Sequence, residues 1–171
     1  MNKPLATALA AAVTTILATT GYLTYQHLTT PSAPTGAITL YDPENAQEVA
    51  GSADDVFHGT VLRHTGQRTI AEIPSDLYEV RVGHVFKGRL NGTITLTQPS
   101  GEPRLTAGKK YVFATASWHN ANNEHAVLSD TRPTPAADLT APVRGAAEGT
   151  AHTIAEYWQH AVAHQVDVTP S

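Results

Sequence analysis

Nine histidines and no cysteine among 171 residues make imidazole the main side-chain metal ligand this chain can offer. The densest set is His152, Glu156, His160 and His164, spaced four residues apart. Each step of four advances roughly 40° around an α-helix, so all four side chains share one helical face, opposite Trp158. His160 and His164, one turn apart, form a pair that suits zinc or copper, since imidazole ligates both. The His-Glu-x-x-His order of zinc peptidases is absent, and the spacing His-x-x-x-His is common by chance. The solvated face is the favoured reading. No cofactor is expected, with zinc or copper on this face as the alternative.

For hydrolysis, Ser100-Gly101 and Ser117-Trp118-His119 are the only neighbours that suggest a nucleophile and a base. Neither lies in a Gly-x-Ser-x-Gly elbow, and adjacency in sequence is not triad geometry. Asp54 and Asp55 are consecutive, so in a strand they diverge; they are expected to open that strand. Asn91-Gly92-Thr93 fits a glycosylation acceptor, but Asn-Gly is also a turn signal and the turn is the stronger reading. The expectation is therefore a protein that is not an enzyme. Trp118, His119, Asn120 and Asn122 instead make a polar loop with one aromatic, and Trp is enriched where proteins bind partners. They are the expected contact surface, unless Trp118 ends a strand facing inward. His58 and His84 are expected to face solvent if Phe57 and Val85 face the core.

The elements that must position these residues are mainly strands. Residues 55–62, 77–88, 92–98 and 110–115 alternate apolar and polar side chains, the period that sets one strand face on a core, and residues 124–129 add a fifth run. Gly59 and Gly83 fall inside strands, as glycines at bulges do. Five strands in about 75 residues suit a small Greek-key barrel of the OB type. The fold class is thus mostly β: a five-stranded OB-like barrel over residues 41–130. Asp42-Pro43-Glu44 predicts a short helix before it, with Asp42 as N-cap. A Pro/Ala-rich linker, residues 131–149, leads to a C-terminal amphipathic helix over 150–166 with Thr150 as N-cap and Ile154, Tyr157, Trp158 and Ala161 as its apolar stripe.

Residues 1–28 read as a signal anchor or a cleaved signal peptide. Lys3 precedes an uncharged run, residues 4–23, long enough to cross a bilayer, and Tyr22 and Tyr25 suit the interface. The small residues Ala18 and Thr20 fit a cleavage site poorly, which favours an uncleaved anchor. A Pro/Ser/Thr linker, residues 29–40, would hold the domain off the membrane. The domain is then expected outside the cytoplasmic membrane, or secreted if the segment is cut. Eleven basic against fifteen acidic residues, with no basic stripe, argue against nucleic acid as a partner. The absence of cysteine excludes disulfides, thiol nucleophiles and a lipid-modified cysteine.

The order Asp55-Val-Phe-x-Gly-Thr-Val61, Val82-x-x-Val-Phe-Lys-Gly88, Ile94-Thr-Leu-Thr-Gln98 and Leu105-x-x-Gly-Lys-x-Tyr-Val-Phe113 resembles exported bacterial proteins with a TIMP-like, or netrin-module, OB fold. The resemblance spans roughly residues 53–130 and implies the fold more than a function. Animal metalloproteinase inhibitors of that fold bind zinc through an N-terminal cysteine; this chain has none, so that mechanism does not transfer. The expected function is a binding module at the cell envelope, recognising a protein or an envelope component. The alternatives are a metal-binding envelope protein and, by fold analogy, an inhibitor of an extracellular peptidase.

Overall fold

A computed structural model describes residues 40–119, 122–143 and 153–168. The candidate membrane segment, Asn120, His152 and the expected cap Thr150 lie outside those residues. The described chain is mostly β. In order it forms α1 (Ala46–Ser52), β1 (Asp55–Ile70), β2 (Ile73–Lys87), β3 (Thr93–Pro99), β4 (Lys110–Ser117), β5 (Glu124–Val127), β6 (Thr134–Pro135) and α2 (Ile154–Ala163). Among the described residues no helix is long and apolar enough to cross a membrane.

Five strands close a ring. β1 pairs with β2 and β2 with β3, both antiparallel; β3 runs parallel to β5; β5 pairs with β4, which returns to β1. β6 is a two-residue addition beside β4. Alternate residues turn inward and fill the ring: Phe57, Val61, Tyr78, Val80, Ile94, Leu96, Phe113 and Val127 form one buried cluster. Phe57 and Phe113 stack there with ring centroids 5.2 Å apart.

The intervening residues of β1 and β4 are buried too. Val56, Val112 and Ala114 pack with Val49 and Ala50 of α1 and with Trp158 and Ala161 of α2 in a second cluster. Strands covered on both faces need apolar residues at successive positions, and 112–114 supply them.

That covering corrects the expectation for His58. It does turn away from Phe57, but the face it reaches lies under the strap that follows β6. Its Nε2 lies 2.9 Å from the Ala136 carbonyl, and the side chain is buried. His84 is exposed, as expected. Gly59 and Gly83 meet at one bulge: the register passes from His58↔His84 to Gly59↔Val82 and leaves Gly83 out.

Both helix starts differ from the predicted ones. α1 is capped by Asn45, whose side chain accepts from the Gln47 amide, not by Asp42. Asp42 instead accepts from the Glu44 amide in the preceding turn, a local bond that competes with helix. α2 is capped by Thr153, not Thr150: Thr153 and Glu156 form a capping box. The next amides, Ile154 and Ala155, donate to the carbonyls of Ala141 and Leu139. A chain segment packed alongside thus satisfies donors that a helix start leaves open.

The β1–β2 hairpin is much longer than its alternating parts. Beyond Val61 the β1 arm continues as an exposed polar strand to Ile70, while the β2 arm returns from Ile73 with Ser75, Asp76 and Tyr78 buried and paired to β3. Register shifts at Val61/Arg63 and His64/Gly66 interrupt it, and bulges bend a strand. Residues 63–69 bury neither face, so no apolar period marks them.

Candidate functional site

The hairpin tip and the chain after β4 meet on the outer surface of the ring. Ile70, Ala71 and Ile73 line one side of an apolar groove of about 220 Å³; Ala116, Ala126 and Leu128 also line it, with Trp118. Ile73 is 53% exposed and Trp118 44% exposed, both among the most exposed large apolar side chains described. Trp118 follows β4 directly; its amide donates to the Glu124 carbonyl at 3.0 Å and its Nε1 donates to Thr97 Oγ1 at 3.4 Å. The indole is therefore held on the outer surface, not turned into the ring.

Three sets of contacts fix the hairpin wall. Arg68 Nη2 donates to both carboxylate oxygens of Glu124, at 2.9 and 2.8 Å, joining β1 to β5. His64 Nε2 and Gln67 Nε2 lie 2.7 and 2.9 Å from Asp76 Oδ1. The Ser100 amide donates to the Pro74 carbonyl. Burial alone would push the Asp76 carboxyl up and is the largest influence on it. The hydrogen bonds from Gln67 and His64 and the nearby Arg104 charge together outweigh that, so its pKa lies below the ordinary value. At the tip, Ala71 and Glu72 have φ of 47° and 69°. Two left-handed residues are what a tight hairpin needs, yet neither is the glycine that adopts them without strain.

The other expected contact residues flank Trp118. His119 and Asn122 are exposed, and the His119 amide donates to Ser117 Oγ. Asn120 lies outside the described residues. Ser117 thus serves loop geometry, its own amide donating to Asp54 Oδ2 at 2.8 Å. Asp54 and Asp55 diverge as expected: Asp54 is exposed, while Asp55 is buried beside His125, with Oδ2 3.1 Å from Nδ1. A Cβ on Gly88 would overlap the Asp55 carboxylate, so glycine is required for that approach.

Ser100 accepts from Gln67 at 3.4 Å, so no described hydrogen bond joins it to His64. The His64–Asp76 pair orients an imidazole in the manner of a catalytic dyad, but it lacks the hydrogen-bonded hydroxyl a triad needs.

On α2, Glu156, His160 and His164 are exposed and Trp158 is buried, as the spacing requires. The imidazoles of His160 and His164 lie with centroids 4.1 Å apart, and His164 Nδ1 is 3.0 Å from the His160 carbonyl. Glu156 accepts from the amide and hydroxyl of Thr153, so its carboxylate serves the helix start. Among the described residues no three His, Asp or Glu side chains are grouped to hold a metal; His152 is not among them.

The groove residues Ile70, Ala71 and Ile73 carried no motif. The only sequence signal was two isoleucines flanking a two-residue turn in an otherwise polar stretch. No protein-family model matches this chain, and no curated protein matches it.

Proposed function

We propose that the chain is an exported, membrane-anchored binding module of the cell envelope that does no chemistry itself and recognises a protein or envelope component through the Trp118 groove. The observation that carries this reading is the juxtaposition of two exposed apolar elements, the Ile70–Ile73 tip and Trp118, on one rigid surface. Isolated exposed apolar residues are ordinary, whereas a contiguous apolar hollow with a polar rim suits a partner. Trp118, His119, Asn120 and Asn122 supply the aromatic anchor and adaptable hydrogen-bonding groups.

The strand order of the ring, with a parallel β3–β5 pair and β4 returning to β1, supports reading it as a five-stranded Greek-key barrel of the OB type, like the TIMP-like exported proteins. Barrels of this type use one sheet face and its loops for binding. Peptidase inhibition remains an analogy of fold alone. Export and anchoring rest on residues 1–28.

The test is site-specific photocrosslinking in cells, with the crosslinker at Ile73 or Trp118 and a control at Lys109. A discrete adduct from the first two positions and none from the third is the expected result. Equal labelling at all three would remove the groove as the binding surface. Protease accessibility of the domain in intact spheroplasts tests the topology separately.

A second reading, a metal carried by His160 and His164 with His152 and Glu156, draws on the close approach of the two imidazoles. It predicts zinc or copper retained stoichiometrically by the purified protein and lost in His160→Ala.

A further inference from the structure

Further along the same outer face of β4 lies a second, open hollow of about 260 Å³, between α1, α2 and the strand. Val112 and Ala114 line it from β4, with Val49 from α1 and Ile154, Tyr157 and Trp158 from α2. Most of these side chains belong to the well-packed cluster beneath the helices, so the apolar part is preformed. Only two charged residues line it, Glu44 and Arg132, and their charges are opposite. Arg132 Nε lies 3.9 Å from Glu102, a loose pair on a side chain that is 79% exposed. Its other guanidinium donors have no described partner.

We propose that this hollow binds a small zwitterion with an apolar tail, of which an α-amino acid with an aliphatic or aromatic side chain is the simplest example. The planar fork of Arg132 matches a carboxylate, Glu44 matches an ammonium, and the tail rests on Trp158, Tyr157 and Val112. Ligand sites are commonly of this make-up, an apolar hollow with a few polar groups that orient the ligand.

Size agrees with this class. At about 260 Å³ the hollow lies just under the range of roughly 300–1,000 Å³ common for ligand pockets, which suits a molecule as small as an amino acid. A sphere of that volume is about 8 Å across, and the hollow carries one charge of each sign on its lining. A ligand with a single charge would meet its partner on one side and a like charge on the other. A zwitterion satisfies both.

The test uses the full-length protein carrying Trp118→Phe, which leaves Trp158 as the sole indole reporter. It compares L-leucine with 4-methylpentanoate, which lacks the ammonium, and 3-methylbutylamine, which lacks the carboxylate. Leucine is expected to give a saturable change in Trp158 emission, with affinity at least about tenfold tighter than either analogue, the effect of about one lost charged contact. Arg132→Gln should bring leucine down to the level of the amine, and Glu44→Gln to the level of the acid. Ala114→Leu should fill the hollow and abolish binding. Should Ala114→Leu not fold, the two exposed rim variants still decide. No saturable response to leucine below about 10 mM overturns the proposal. So do analogues that bind as tightly as leucine, or rim variants that fail to separate the charges.

Discussion

Replacing Arg68 with methionine is expected to loosen the wall of the Trp118 groove while leaving the ring folded. Arg68 donates from Nη2 to both oxygens of Glu124. Its side chain is 45% exposed, whereas that of Glu124 is only 5% exposed. An exposed ion pair contributes about 0.2–1 kcal/mol. Removing one partner from a fully buried pair costs about 3–5 kcal/mol, because the other charge is left in the interior. Here water reaches the guanidinium but hardly reaches the carboxylate, which places the loss between these limits, at about 2 kcal/mol, or roughly 30-fold in the folding constant. Urea denaturation of the wild type, Arg68→Met, Glu124→Gln and the double variant measures it. Other contacts of Glu124 cancel in the cycle, and the coupling between the two sites is expected to exceed about 1 kcal/mol. Amide exchange should accelerate in β1 from Arg68 to Ile70 and stay slow in β3 and β4, since residues 63–69 of β1 are largely exposed. A coupling below about 0.3 kcal/mol, or exchange unchanged from Arg68 to Ile70, would refute the reasoning that this pair holds the hairpin against β5.

Three other outcomes follow from the same structure. The Asp76 carboxyl titrates lower in the folded protein than in the unfolded chain; its ionised form therefore contributes stability that is complete above the unfolded pKa and is lost as pH falls through the folded one. Asp76→Asn should lower the urea midpoint at neutral pH and flatten the decline in stability below about pH 4; an acid limb identical to that of the wild type would contradict this. Phe57→Ala removes a fully buried ring stacked on Phe113 and should cost about 3–5 kcal/mol, read as a large drop in thermal midpoint. Trp118→Ala, at a half-exposed position, should change stability by less than about 1 kcal/mol while removing the crosslink expected from the Ile73 position.

Secondary structure was legible where burial is one-sided or complete. Residues 55–62, 77–88, 92–98 and 110–115 carry their pattern locally, because a strand facing a core must alternate. The distal hairpin, 63–70, was invisible because neither of its faces is buried, so nothing in its composition had to be periodic. The caps Asn45 and Thr153 lost out in the sequence reading to Asp42 and Thr150, nearby residues with the same chemistry. Distant carbonyls at Leu139 and Ala141, which receive the amides after Thr153, place the start of α2. Alternation also predicted correctly that His58 turns away from Phe57. It could not tell that the strap beginning at Ala136 lies over that face.

By itself, then, the sequence determined which residues face inward in β1 to β4 and the polar face of α2 with its paired imidazoles, since both follow from periods of two or about four residues along one segment. Whether Trp118 faces inward was left open by the sequence and decided by the fold. The five strands were expected to close on themselves, and they form a ring; tertiary structure alone decided the groove and the second hollow. Ile70 and Trp118 meet only because β1 runs on past its pairing with β4 as a bulged strand that Arg68 ties to Glu124 of β5. Glu44 and Arg132 share a hollow only because α1 and the segment after β5 both pack on β4. Such meetings depend on side-chain packing between segments far apart in the chain, and no local pattern encodes them.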